Sequence, residues 1–385
     1  MPRRLVVGLA VICCGLPAQR VLGQDSVRNW NPIAEALTAR MALTPGERVL
    51  LVGKPGLADS LVPLLRAAIR KAGGSDLGVI GVTAGWPDSW NTPFTRQLVG
   101  VTTRALPTLL DQVDVAVMLP GPVPTDPLYA ALQDRLRSGQ GRTIHFHWTG
   151  AYTLEGVPFD PTHWVDAVYE RALLETNYPE LSSRQQAFEA AMRRGDVRVT
   201  TPAGTDLRFR IGDRPVTRQD GDASKARMAT ARSLIDREIE LPAGAVRVAP
   251  IETTVNGRIV FPVSFWGEDR VEGLVLLIEK GVVTSIEAKG GLPAVERDLA
   301  VGGAGARAFR EVVVGFNPLL VVTESDGARW IPYYGYGAGV VRLSFGDNSE
   351  LGGAVRGGYV RWNLLTDATV WAGGKAWVDK GKLVP

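Results

Sequence analysis

The sequence predicts two domains: an α/β N-terminal domain with a parallel sheet, then a β-rich α+β C-terminal domain. Three observations predict this. Between about residues 45 and 150, segments that are apolar at every position alternate with segments of helical period, the pattern of a helix-covered parallel sheet. Beyond Gly195 the texture changes to short alternating strands punctuated by turn dipeptides such as Asn256-Gly257 and Lys280-Gly281. The chain, 385 residues with 45% hydrophobic and 22% charged content, is long enough and apolar enough for two cores.

Taken in order, the first stretch is a secretory signal over residues 1–23. Arg3 and Arg4 form a basic start, and an apolar core runs from Leu5 to Leu16, followed by small or apolar residues. That core is too short to span a bilayer. Cys14 lacks the small preceding residue of a lipoprotein signal, and the twin arginines add little. Both cysteines, Cys13 and Cys14, fall inside this segment, so the exported chain is expected to hold no thiol, disulfide or cysteine nucleophile. No later segment is apolar enough to cross a membrane. The expected location is periplasmic or extracellular.

The N-terminal domain, 24–196, opens its sheet with "RVLLVG" (48–53). A helix follows, with Leu61, Leu64, Leu65, Ala68 and Ile69 on one face, Asp59 or Ser60 as cap and Gly73 as stop. Further strands are "LGVIGVT" (77–83), "VDVAVMLP" (113–120) and "RTIHFHW" (142–148). "KPGLAD" lacks the spaced glycines and Lys-Ser/Thr pair of a phosphate loop. "PELSSRQQAFEAAMRRGD" (179–196) predicts a connecting helix with a capping box from Ser182 to Gln185. The C-terminal domain, 197–385, is read as antiparallel β, its clearest helix lying around 294–312.

Composition removes several function classes. A net charge of +3 with no basic-aromatic run gives nucleic acid no support. Three histidines leave little from which to build a Ser-His-Asp arrangement. His145 and His147 share a strand face and could chelate, but His163 is the one other histidine and no carboxylate sits at fitting spacing. They are read as packed polar residues. Asp206 is read as a strand-end residue. "WIPYYGYGAG" (330–339) suits an aromatic binding wall and a packed loop equally.

Four C-terminal segments carry a more specific signal. "TPAGTDLRFRI" (201–211), "LPAGAVRVAPIETTVNGRIV" (241–260), "REVVVGFNP" (310–318) and "AGVVRLSFGDNSELGG…GYVRWNLL" (338–365) occur in this order. Together they resemble the metal-dependent aminopeptidases typified by aminopeptidase T and aminopeptidase S, and their relative 2,5-dihydroxypyridine dioxygenase. The resemblance implies an aminopeptidase-T-like fold, a homodimer, and divalent ions such as Zn, Co or Mn that activate water for peptide hydrolysis.

Carried over position by position, the resemblance places few ligands here. A metal-binding glutamate falls on Ala245, a second on Glu311, a histidine on Arg342, and a His-x-Asp pair on Arg361 and Asn363. A catalytic tyrosine falls on Ser349. Guanidinium cannot ligate a cation, and one carboxylate with one amide is a poor divalent site. No metal or other cofactor is therefore expected. By the period-two rule Arg361 and Asn363 share a face, which the resemblance directs at the pocket. The expected site is Glu311, Arg342, Arg361, Asn363, Ala245 and Ser349, with at least one arginine pairing with Glu311. Taken without the resemblance, Glu311 is equally a surface residue at a helix end, and the two arginines are solvated strand residues. The expected function is binding of a peptide or small carboxylate without catalysis. The alternative is a surviving metallohydrolase that recruits Asp347, Glu350 or Asp367.

Overall fold

The computed structural model describes residues 28–385 except 84, 149, 160–163 and 326. The signal segment with Cys13 and Cys14, and also His163, lie outside the described residues. Among the described residues, no helix is long and apolar enough to cross a membrane.

The four predicted apolar segments and a fifth strand from later in the chain form a five-stranded parallel sheet in the order Glu238–Leu241, Arg142–Phe146, Val115–Met118, Arg48–Gly53, Ser75–Gly81. The central strands are apolar because both their faces are covered. Val49, Leu51, Val117 and Ile144 pack into one cluster, while Leu50, Val52, Ala116 and Met118 pack into another. The helix Leu61–Lys71 buries Leu61, Val62, Leu65 and Ile69. Each such side chain contributes roughly 1.5–3 kcal/mol on burial.

The strand Glu238–Leu241 comes from beyond residue 196, so the parallel sheet draws on both sides of that boundary. A small sheet crosses it again, pairing Ala151–Thr153 with Ala328–Pro332. The remaining strands form a five-stranded antiparallel sheet, ordered Val360–Leu365, Val341–Gly346, Phe309–Gly315, Ala245–Val248, Val216–Gln219, and an eight-stranded sheet beside it.

Three local expectations are corrected and one holds. The connecting helix begins at Tyr178 rather than at Ser182. Asn177 caps it by accepting from Glu180 N–H, and Ser182 instead donates to Asp220 at 2.9 Å. The helix read over 294–312 stops at Val301, and Phe309–Gly315 is a fully buried strand, so Glu311 stands in the centre of a sheet. Lys280-Gly281 is a hairpin turn with both residues left-handed, as the dipeptide suggests. Asn256-Gly257 instead opens a long strand. A side-chain carbon at Gly257 would lie 2.0 Å from Asp206 O, so close backbone approach, not a turn, requires glycine there.

Candidate functional site

The antiparallel sheet presents one face to the polar continuation of the parallel sheet. Strand alternation puts Arg247, Glu311 and Arg342 on that face. Val313 stands opposite both arginines in register, and Glu311 stands opposite Ser344. A bulge between Phe309 and Glu311 inserts Arg310 as the extra residue and turns it toward the same cluster. The parallel sheet contributes Glu240, and the loop after Gly346 contributes Glu350.

Glu311 is fully buried and held from three sides. Arg247 Nε donates to its Oε2 at 3.1 Å and Arg342 Nη2 to its Oε1 at 3.2 Å, while Arg310 Nε lies 3.5 Å from Oε1. Burial alone would raise the Glu311 carboxyl. The charges of Arg247, Arg310 and Arg342 override it and hold the group down at about 2. Arg247 also reaches Glu240 at 3.5 Å and Glu350 at 3.7 Å, and Arg310 pairs with Glu350. Three guanidinium groups thus face three carboxylates, and the cluster balances its own charge.

Glu240 is completed from the aromatic segment. Tyr333 and Tyr336 hydroxyls donate to its Oε2 at 3.0 and 2.8 Å. Burial raises the Glu240 carboxyl, but Arg247 above all, then His147, His145 and the Tyr336 hydroxyl, bring it below its ordinary value. The segment is therefore chiefly a packed loop, with Tyr333 and Tyr336 buried and Tyr334 alone of the three tyrosines on a cavity wall.

That cavity, about 1200 Å³, opens beside the cluster. One wall comes from the parallel-sheet side, with Tyr129, His145 and Glu238. The other comes from the antiparallel sheet and its loops, with Arg310, Tyr334, Trp362 and Arg356. Burial lowers His145 to about 3, with His147 adding to the shift. Burial and the charge of Glu350 raise Glu238 to about 8. Both shifts favour the uncharged forms where His145 Nε2 lies 3.9 Å from Glu238 Oε1. Tyr129 and His145 Nδ1 lie 3.3 Å apart, and Gln133 donates to Glu238 at 3.2 Å. Among the described residues, no group of three or more His, Cys, Asp or Glu side chains is placed to hold a metal ion.

Of the residues singled out in the sequence, Glu311 and Arg342 come together. Ala245 is buried on the same face two residues from Arg247, between Gly315 and Gln219. Ser349 lies on the cavity rim, its N–H donating to Asp347. Arg361 and Asn363 are a correction: they face away from the cavity, and Val360, Trp362 and Leu364 face it. Arg361 stacks on the Trp266 ring at 3.5 Å and donates to Phe265 O at 2.6 Å, and Asn363 donates to Leu343 O. Apolar packing behind the sheet takes the polar pair, while an indole takes the cavity side.

The acids considered for a displaced centre are also engaged or distant. Asp347 accepts the N–H groups of Ser349, Gly357 and Gly358, Glu350 pairs with Arg310, and Asp367 is exposed at a turn. Asp206 is a strand-end residue paired with Arg198 at 2.7 Å. Sequence reasoning missed Arg247, Arg310, Glu238 and Glu240. The signal for Arg247 was present: a charged residue inside "AGAVRVAP", two positions from Ala245 and so on its face. The bulge that recruits Arg310 left no such trace.

The architecture places the protein in the aminopeptidase-T-like fold class. Over 92% of the chain it is similar to 2,5-dihydroxypyridine dioxygenase from Pseudomonas putida KT2440, at 17% identity, with 96% of that chain covered and a TM-score of 0.57. It is likewise similar to AmpT from Thermus thermophilus, at 16% identity over 92% of this chain and 99% of the other, with a TM-score of 0.54. No protein-family model matches the sequence, and comparison with curated proteins gives no match.

Proposed function

We propose that this is an exported binding protein that takes a peptide or small carboxylate in its cavity, with a guanidinium–carboxylate cluster where the resembled aminopeptidases carry metal ions. One observation carries the reading: both oxygens of Glu311 already accept from arginines, at 3.1 and 3.2 Å. The donor set does not suit a divalent ion. Glu311 is the one ligand-type residue among the positions carried over, and a cation approaching it would meet three positive charges. Arg342 takes a ligand position, and Ala245 offers no donor atom. No activated water, and hence no hydrolytic step, follows from these residues.

The cavity keeps what binding needs: aromatic walls, a few convergent polar groups and an opening beside them. Calorimetric titration in EDTA with N-acetyl-alanyl-phenylalanine should show saturable binding. Aminoacyl-4-nitroanilides supplied with Zn, Co or Mn should stay at the rate of the protein-free blank. Metal-dependent release of the N-terminal residue would contradict the reading.

A further inference from the structure

Among the described residues, four arginines line the cavity, and three are already paired with acids. Arg310 pairs with Glu350, Arg137 with Asp134 and Arg232 with Asp213. Arg356 differs. Its Nη1 donates to Gly353 O at 2.8 Å and Val355 O at 3.2 Å, and among the described residues no carboxylate meets it. Its remaining N–H donors stay available at the mouth.

The loop that presents Arg356 is held by its own hydrogen bonds. Asn348, fully buried, accepts Val355 N–H at 2.8 Å and donates to Glu252 at 3.1 Å. Glu252 also accepts Ala354 N–H at 2.9 Å. Asp347 takes the N–H groups of Gly357 and Gly358 at 2.9 and 3.0 Å, so its charge is spent on the backbone immediately beyond Arg356. A guanidinium on a fixed loop loses less freedom on binding an anion than one on a mobile segment.

The antiparallel-sheet wall of the same cavity is aromatic and equally fixed. The Trp362 ring has the Arg342 guanidinium 4.2 Å from its centroid and meets Tyr334 edge-on at 5.2 Å. Arg342 is in turn tied to Glu311 and to Tyr334 O at 3.1 Å. Leu364 and Tyr152 extend the apolar surface. The buried cluster thus reaches the indole through Arg342, which stacks on it.

We infer that the ligand is a carboxylate with an aromatic or bulky apolar body, its carboxylate received by Arg356 at the mouth and its body by Trp362 and Tyr334. This rests on the binding reading above and adds the ligand's class and orientation. Charge-assisted hydrogen bonds to a carboxylate are worth roughly 1.5–3 kcal/mol, which is about 10- to 100-fold in affinity.

The test is calorimetry on the full exported chain with N-acetyl-phenylalanine and its uncharged amide. Wild-type protein should bind the acid at least about tenfold more tightly than the amide, by the same charge-assisted contribution. Arg356→Gln should remove that preference by weakening the acid alone, and Arg356→Lys should retain part of it. Trp362→Leu, checked for a native circular-dichroism spectrum, should weaken acid and amide together. Equal affinity of wild type for acid and amide overturns the inference and leaves the binding reading intact. So does a preference that survives Arg356→Gln, and so does failure to bind N-acetyl-phenylalanine by a protein that does bind N-acetyl-alanyl-phenylalanine. Binding of none of the three compounds overturns both.

Discussion

Glu311→Gln should lower the free energy of unfolding by about 3–5 kcal/mol, the cost of leaving buried charge without its partner. The glutamine fits the same space, so the loss reports charge rather than volume. Arg247, Arg310 and Arg342 would remain within 3.5 Å of a neutral amide, with Glu240 and Glu350 left to balance them. The penalty should depend on pH in a particular way. The folded Glu311 carboxyl sits at about 2, below its ordinary value of 4.5. Its stabilisation is therefore complete above about pH 4.5 and disappears as pH falls toward 2. Urea unfolding of wild type and variant should show a constant difference from pH 8 to about 5, shrinking at lower pH. A difference below about 1 kcal/mol at pH 7, the level of an exposed pair, would mean that the carboxylate is solvated rather than caged.

Arg247→Met should cost about 3 kcal/mol or more, by the same argument applied from the cationic side. Arg247 is shared among Glu311, Glu240 and Glu350. Glu311 keeps two guanidinium neighbours after the change. Among the described residues, Glu240 has no other arginine or lysine within ion-pairing distance and keeps only the Tyr333 and Tyr336 hydroxyls and the more distant histidine rings. Its buried carboxyl should then rise, because burial penalises the charged form. The variant's deficit should accordingly shrink as pH is lowered from 8 toward 5, a range in which the Glu311→Gln deficit stays flat. Thermal unfolding across that range separates the two. Matching pH profiles would show that Glu240 does not depend on Arg247.

How much of this was legible in the sequence follows from the kind of signal each part leaves. The parallel strands were readable because a strand covered on both faces must be apolar at every position, as in Val49 to Val52. The fifth strand of that sheet, Glu238–Leu241, carries two glutamates and was not recognised. Its polar alternation reflects a face turned toward arginines from another part of the chain, which no local pattern encodes.

The pairing of Arg342 with Glu311 was reached through motif order. The facing of Arg361 and Asn363 was not, because the period-two rule says which residues share a face and not which face meets the cavity. An arginine can pack behind a sheet when an indole and a carbonyl receive it, as Trp266 and Phe265 do here. The reading of 294–312 as one helix failed at Gly302-Gly303, where the helix ends and the chain turns into the strand that carries Glu311.

Trp362 is both cavity wall and a cation–π partner of Arg342. The same cluster thus cages Glu311 and reaches the surface a ligand would meet.

Elemental analysis weighs the caged carboxylate directly against a metal centre. Purified exported chain would be incubated with Zn, Co, Mn or Fe(II), desalted and measured for bound metal. With Glu311 held by three arginines, only background metal should remain. Retention of about one or two tightly bound ions per chain, the complement of a hydrolytic centre, would contradict it.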